Sequence, residues 1–409
     1  MTSKTRILLL IIISLAALAL IGCGGTPCSS TENFTSGGSG TAGAVNSGGN
    51  ICGAGVSGGG GSGPSAAYAF YIDTAVETAA LSTSGTLATQ TGITAPALSG
   101  STIDSMTVVG NYLYLPFGDT TSVIQALSIN HSTGALTTVT GSPFALSATG
   151  GTADSLVADP KQRFLFAGSE SSGFINVFQI NATTGALTEI QGSPFTNLFN
   201  FFSADIMTVD STSTYLYAGQ GFFSSGVIGF SIDQTSGALT ELAGSPFALN
   251  VAQIHASPTG NFLLGVQEIQ DQNTAATDAH IYVFSIDPTS GFPTPVAGSP
   301  FTTTSAPSDF AISPNGKFVY VTGYDPVAQT TAAIEGYSMD ATTGALTPLT
   351  GSPFTTLPAA TQCQFDQSGG LMFCATSAGI SAFSANPSTG AITHIADLAA
   401  SNYPFAVSD

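Results

Sequence analysis

A Gly-Ser-Pro-Phe tetrapeptide recurs at 141–144, 192–195, 244–247, 298–301 and 351–354, in steps of 51, 52, 54 and 53 residues. A fixed period of this size is the mark of propellers and related arrays, in which a continuous core forms only when neighbouring repeats stack. A second marker, a polar turn followed by Gly and apolar residues, appears at 84–87, 133–136, 184–187, 236–239, 290–292, 343–346 and 389–392, which makes seven copies.

Between the markers each unit reads as four short strands. In the unit from Ser308, Phe310-Ala311-Ile312 is the inner strand, 313–316 a hairpin turn, 318–321 the second strand, 334–339 the third and 345–349 the outermost. The strand runs are β-branched or aromatic, and Asn-Gly and Thr-Gly supply the turn geometry. The expected fold is all-β, a seven-bladed β-propeller of four-stranded antiparallel blades. The first unit starts abruptly at Ala67-Tyr68-Ala69-Phe70-Tyr71-Ile72 and lacks an inner strand, whereas the chain stops after Phe405-Ala406-Val407-Ser408, which matches Phe310-Ala311-Ile312-Ser313. The C-terminal strand is therefore expected to complete the N-terminal blade and close the ring, removing open sheet edges. In this scheme Gly-Ser-Pro-Phe connects blades, Pro and Gly setting a turn and Phe packing between sheets.

Three segments precede or make up the fold. Residues 1–22 form a signal peptide, with Lys4 and Arg6 ahead of an apolar run over 7–20. The run ends in Leu20-Ile21-Gly22-Cys23, which resembles the bacterial lipobox and implies that Cys23 is lipidated. Gly24 at the next position suggests delivery to the outer membrane, on its periplasmic side or at the cell surface, with acyl chains as the membrane anchor. Residues 23–65 are a Gly/Ser-rich tether whose root-mean-square reach is roughly 35 Å. Residues 66–409 carry the propeller and are expected to be monomeric. Only 7% of the chain is charged while 43% is apolar, the opposite of a disordered composition.

The unit containing Ser313-Pro314-Asn315-Gly316-Lys317-Phe318-Val319-Tyr320-Val321-Thr322-Gly323, followed by Tyr337-Ser338-Met339-Asp340 and Thr343-Gly344-Ala345-Leu346, resembles the YVTN-type repeats of lactonase-like propellers. That group includes 6-phosphogluconolactonase-like and cycloisomerase-2-like proteins. The resemblance covers about residues 66 to 409 and implies the fold and, as an activity, hydrolysis of a lactone. Its motifs are turn and strand residues of every blade, so the chemistry has to be argued from the site.

In a propeller the inner strands start at the face where ligands usually bind. Aligned units place Asp104, Asp154 and Asp205 at equivalent positions leading into three successive inner strands, with Asp309 displaced by one. Such carboxylates suit Ca²⁺ or another divalent cation, or a general base that activates water. Equally, each can accept backbone hydrogen bonds and repeat because the blade repeats. His255 falls in the inner strand of the fourth complete unit, and with Asp309 forms the catalytic candidate. His280 closes an unusually long loop that also carries Glu268, Asp271 and Asp278, and a loop lengthened in one repeat is a natural ligand-binding element. A packed strand histidine and solvated loop acids are the plainer alternatives. His131 and His394 read as structural.

Charge narrows the ligand. Once residues 1–22 are removed, only Lys161, Arg163 and Lys317 remain against 24 acidic residues. A phosphorylated lactone calls for Arg or Lys around its phosphate, and nucleic acid is excluded on the same grounds. A neutral lactone, a neutral glycan or a cation is compatible. Phosphate loops, dinucleotide fingerprints, HExxH pairs and nucleophile elbows in a strand-to-helix context are absent. Besides Cys23, four cysteines remain. Cys363 and Cys374 flank a hairpin and can face each other, and Cys28 and Cys52 can pair within the tether, although four cysteines allow three connectivities. Two functions follow: an envelope-anchored hydrolase of a neutral lactone, or a non-catalytic surface propeller that binds a glycan, an envelope protein or a cation.

Overall fold

The computed structural model describes residues 67–408, apart from 73–74, 83–84, 91–96, 99–104, 118–121, 148–152, 170–171, 196–203, 205, 220–225, 250, 268–278, 326–329, 332, 356, 377–378 and 401–404. The signal peptide, the tether and Cys23, Cys28 and Cys52 lie outside the described residues.

Seven antiparallel sheets form, each built on a four-strand path. Numbered along the chain, blade one spans residues 107–145, blade two 155–189, blade three 206–241, blade four 253–302, blade five 306–348 and blade six 360–398. Blade seven is composite. Its inner strand Phe405–Ser408 pairs antiparallel with Tyr68–Ile72, placing Tyr71 opposite Phe405 and Tyr68 opposite Ser408. The first and last strands of the fold thus share one sheet, as the matching sequence fragments required.

Second strands read as continuous apolar runs because both faces are covered. Tyr112–Phe117, Phe164–Gly168 and Tyr215–Gly219 are buried at every position. Core clusters accordingly span pairs of blades: Phe164, Phe166 and Ile175 of blade two pack with Leu216, Ile228 and Phe230 of blade three.

Gly-Ser-Pro-Phe folds back onto its own blade. In each copy the Ser Oγ accepts a hydrogen bond from a third-strand N–H, as from Ala126 to Ser142 at 2.9 Å and from Val283 to Ser299 at 3.0 Å. The Phe then bridges to the start of that third strand, Phe144 opposite Ile124 and Phe301 opposite Ile281, with isolated bridges at Phe195, Phe247 and Phe354. All five Ser-Pro bonds are cis. The motif therefore closes the outer edge of one blade, while its Phe side chain reaches the inter-blade core, as Phe247 does beside Leu263 and Phe284.

The outer turns lock neighbouring blades. Six of the seven begin with an Asn or Asp whose side-chain oxygen accepts the N–H groups two and three residues on, as Asp287 does from Thr289 and Ser290. Each of these six ends in a Gly at positive φ, +72° at Gly291. That glycine lies on the aromatic ring that opens the second strand of the preceding blade. A Cβ at Gly291 would sit 2.7 Å from the Tyr215 ring, and one at Gly390 2.6 Å from Phe318. Tyr217 Oη then donates to the Gly291 carbonyl at 2.7 Å, and Tyr320 Oη to that of Gly390 at 2.7 Å.

Burial, with Asp210 and Tyr215 nearby, holds the Tyr217 hydroxyl far above its ordinary value of 10.0. A raised folded-state value means that the neutral tyrosine stabilises the fold fully below pH 10.0 and that this contribution is lost as pH rises toward the folded value. Gly291→Ala combines a strained backbone with a ring clash, and Tyr217→Phe strips a buried carbonyl of its donor. Each is expected to cost about 1–3 kcal/mol, read as a lower denaturant midpoint. Tyr217→Phe is further expected to flatten the loss of stability above pH 10, and an unchanged alkaline limb would contradict this role.

Candidate functional site

Inner strands of five consecutive blades, four to seven and then one, enclose a cavity of about 600 Å³ on the central channel. It runs from Asp309 and Gln362 near the strand starts to Pro258, Pro314 and Gln367 at the turns between first and second strands. Its described lining thus reaches toward the turn face, whereas the sequence places the site at the opposite mouth. Among the described residues none of its lining is Lys or Arg.

His255 and Asp309 meet in this wall. His255 lies in Gln253–Ala256 of blade four, paired with Leu264, and Asp309 in Ala306–Ile312 of blade five, paired with Thr322. His255 Nε2 is 3.2 Å from Asp309 Oδ1. The imidazole side chain is 44% exposed and the carboxylate 11%, so the acid is the buried anchor and the ring the accessible member. Phe310 holds the ring edge-on, 4.8 Å between centroids. Asp309 Oδ1 also accepts the Phe310 N–H at 2.7 Å.

A β-bulge turns Asp309 into place. The register of Ala306–Ile312 shifts between Pro307 and Asp309, which accounts for the one-residue displacement of Asp309 among the aligned units. Blade six carries the same irregularity between Ala360 and Gln362. The two bulges are tied together: Ser308 Oγ donates to the Thr361 carbonyl at 3.1 Å and Thr322 Oγ1 to the same oxygen at 2.7 Å. A bulge inserts one residue and re-aims the next side chain, which is why bulges gather at functional sites.

Glu335, which the sequence did not single out, holds the segment that leads into the strand of Asp309. Only 2% exposed, its carboxylate accepts the Thr304 N–H and hydroxyl at 2.9 and 2.7 Å, the Ser305 N–H at 3.1 Å and the Tyr337 hydroxyl at 2.7 Å. These bonds pin the segment leading into Ala306–Ile312. The signal was a lone acid inside the apolar run Ile334-Glu335-Gly336-Tyr337. Burial first, then its bond to Glu335, pushes the Tyr337 hydroxyl far above its ordinary value.

Of the other candidates, the two that the structure describes, Asp154 and His280, do not join this pair. Asp154 precedes Ser155–Ala158, its N–H bonded to the Gly168 carbonyl at 2.8 Å, and is not in the cavity wall. Asp104, Asp205, Glu268, Asp271 and Asp278 lie outside the described residues. His280 opens the third strand of blade four opposite Thr302, two strands out from the channel. Among the described residues no three His, Cys, Asp or Glu side chains form a metal-ion cluster. His394 bonds Asp397 at 2.8 Å in the outermost strand of blade six. Arg163, in the turn between the first and second strands of blade two, is committed to Asp159 at 2.9 Å and to the carbonyl of Gln234, in the outer turn of blade three, at 2.8 Å.

Residues 207–365 match the family model described as Lactonase, 7-bladed beta-propeller, which agrees with the seven sheets of the fold. Solved structures agree in fold. A candidate 6-phosphogluconolactonase from Bacteroides fragilis superposes with a TM-score of 0.60 at 15% identity, over 85% of this chain and 99% of the other. One from Bacteroides uniformis gives 0.59 at 16%, over 80% and 94%. The periplasmic gluconolactonase of Pseudomonas aeruginosa gives 0.58 at 14%, over 84% and 98%. No curated protein sequence matches significantly.

Cys363 and Cys374 are opposite each other in blade six and joined by a disulfide. Cys363 lies in the cavity wall between Gln362 and Gln364. Replacing both cysteines with Ala is expected to cost about 2–4 kcal/mol, seen as a lower midpoint of unfolding under non-reducing conditions, and no shift would mean that packing alone holds these strands.

Proposed function

We propose that the cavity hydrolyses a neutral lactone, with His255 as general base and Asp309 as the carboxylate that orients it. The observation that carries this reading is the buried Asp309 carboxylate, 3.2 Å from an accessible imidazole, in a cavity with no Lys or Arg among its described lining residues. His255 takes a proton from water as the hydroxide adds to the lactone carbonyl carbon. The ring C–O bond then breaks, and the imidazolium returns its proton to the departing oxygen, leaving a hydroxy acid. Asp309 fixes the ring orientation and stabilises the imidazolium.

The family match supports lactonase chemistry at the level of class. The lining argues for a substrate without phosphate, because a phosphoryl group in this cavity would lack the Arg or Lys that binds one well. Against a panel of neutral lactones, the full chain in detergent is expected to show turnover that His255→Ala lowers by about 10²–10⁴-fold, with Asp309→Asn also impaired. Absence of turnover, together with capture of a neutral glycan or an envelope protein, would replace the hydrolase by a binding propeller.

The protein works, in this reading, at the bacterial envelope, lipid-anchored through Cys23 with residues 23–65 as tether. The Cys363–Cys374 disulfide suits an oxidising, exported environment. Cys23→Ser is expected to abolish incorporation of labelled fatty acid and to release the chain from the membrane fraction. Undiminished labelling would overturn the assignment.

A further inference from the structure

An apolar collar lies one residue beyond His255 toward the turn face. In each of the five blades that enclose the cavity, one inner-strand residue pairs with the second residue of the second strand and so stands at the same level of the channel. These residues are Val108 opposite Leu113, Ala256 opposite Leu263, Ile312 opposite Val319, Phe365 opposite Met372 and Val407 opposite Ala69. All five line the cavity and are partly exposed, so a ligand can reach them. Pro258 and Pro314 continue the apolar lining toward the turns. Of the polar side chains nearby, Gln364 gives its Nε2 to the Phe405 carbonyl at 3.0 Å, and Asp366 accepts the Leu371 N–H at 2.8 Å and the Ser368 hydroxyl within its own turn. A cavity of about 600 Å³ is of the size that encloses a drug-sized molecule, and a bare lactone ring is far smaller.

We propose that this collar binds a hydrocarbon substituent of the ligand: with the ring carbonyl at His255, an alkyl chain runs along Val108, Ile312, Phe365 and Val407 toward the turn face, and the substrates are alkyl-substituted lactones. This rests on the reading of His255 and Asp309 as the hydrolytic pair. An alkyl chain on the collar removes apolar surface of both partners from water, whereas a ring bearing several hydroxyls would give up hydrogen bonds to water against side chains that return none.

The test uses the full chain at one low detergent concentration with γ-valerolactone, γ-hexalactone and γ-octalactone, which share a ring and carry methyl, ethyl and butyl groups, and with glucono-1,5-lactone. In wild type kcat/KM is expected to rise about fourfold for each added methylene, mainly through KM. Val108→Thr combined with Val407→Thr keeps the branching of both side chains and adds hydroxyls to the collar. It is expected to lower the ratio of kcat/KM for γ-octalactone over γ-valerolactone by about fivefold or more. No rise with chain length, a rise that the Thr variant leaves unchanged, or a preference for glucono-1,5-lactone overturns the inference while leaving the hydrolytic pair standing. If wild type opens none of these lactones, the hydrolytic reading falls and calorimetry decides on the collar. Tighter binding of γ-octalactone than of γ-valerolactone, weakened in the Thr variant, upholds it, and equal binding refutes it. Thermal melts check the fold, with Val407→Thr alone replacing a double variant that melts early.

Discussion

Everything in this molecule hangs on a contact between a turn glycine and an aromatic ring. No blade buries its own faces, so each must be pressed against the next, and the contact does so at the same place around most of the ring. Gly134 sits on Tyr68, Gly185 on Tyr112, Gly237 on Phe164, Gly291 on Tyr215, Gly344 on Phe262 and Gly390 on Phe318, each glycine too close to the ring to carry a side chain. In three of these contacts a second tyrosine, Tyr114, Tyr217 or Tyr320, donates to the carbonyl of the same glycine. One residue therefore supplies a positive φ, a close approach and a hydrogen-bond acceptor. At the seventh junction Gly85 meets Ile395 instead, at 3.5 Å, in the composite blade joined by the chain ends.

Such a ring would be nearly uniform, and uniform inner strands present uniform walls. Blades four, five and six depart from that pattern. A histidine stands in the inner strand of blade four, and two bulges re-aim an acid and an amide in blades five and six. The departures are braced: Glu335 holds the segment ahead of Asp309, and Thr322 and Ser308 bind the second bulge to the first. A carboxylate as enclosed as Asp309 keeps its orientation because His255 and the Phe310 N–H both engage it, which is what an orienting acid requires.

The architecture was legible because its determinants are local and repeat. The turn markers, the strand runs and the complementary fragments at 67–72 and 405–408 led to seven blades and to closure by the last strand, and the sheets form that way. In the unit from Ser308, the strands appear as Ala306–Ile312, Phe318–Asp325, Glu335–Met339 and Leu346–Pro348, longer than expected at the inner and second strands. The role of Gly-Ser-Pro-Phe was only half legible. Its turn could be read from Gly and Pro, whereas its bonding to the third strand of its own blade depends on which strand edge the folded chain leaves free. In the candidate site, His255 and Asp309 stood out as the breaks in the repeat, but Glu335 did not, since its place comes from burial and hydrogen-bond partners that no spacing records.

By itself the sequence determined the number of blades, the order of their strands, the closure and the scarcity of positive charge, because periodicity, turn residues and composition act over a few residues or over the whole chain. Tertiary structure alone decided that residues 54 positions apart, His255 and Asp309, come within hydrogen-bonding distance. The physical reason is the bulge. One residue inserted against the neighbouring strand changes where the next side chain points, and that choice is made by the packing of adjacent blades rather than by the residue itself.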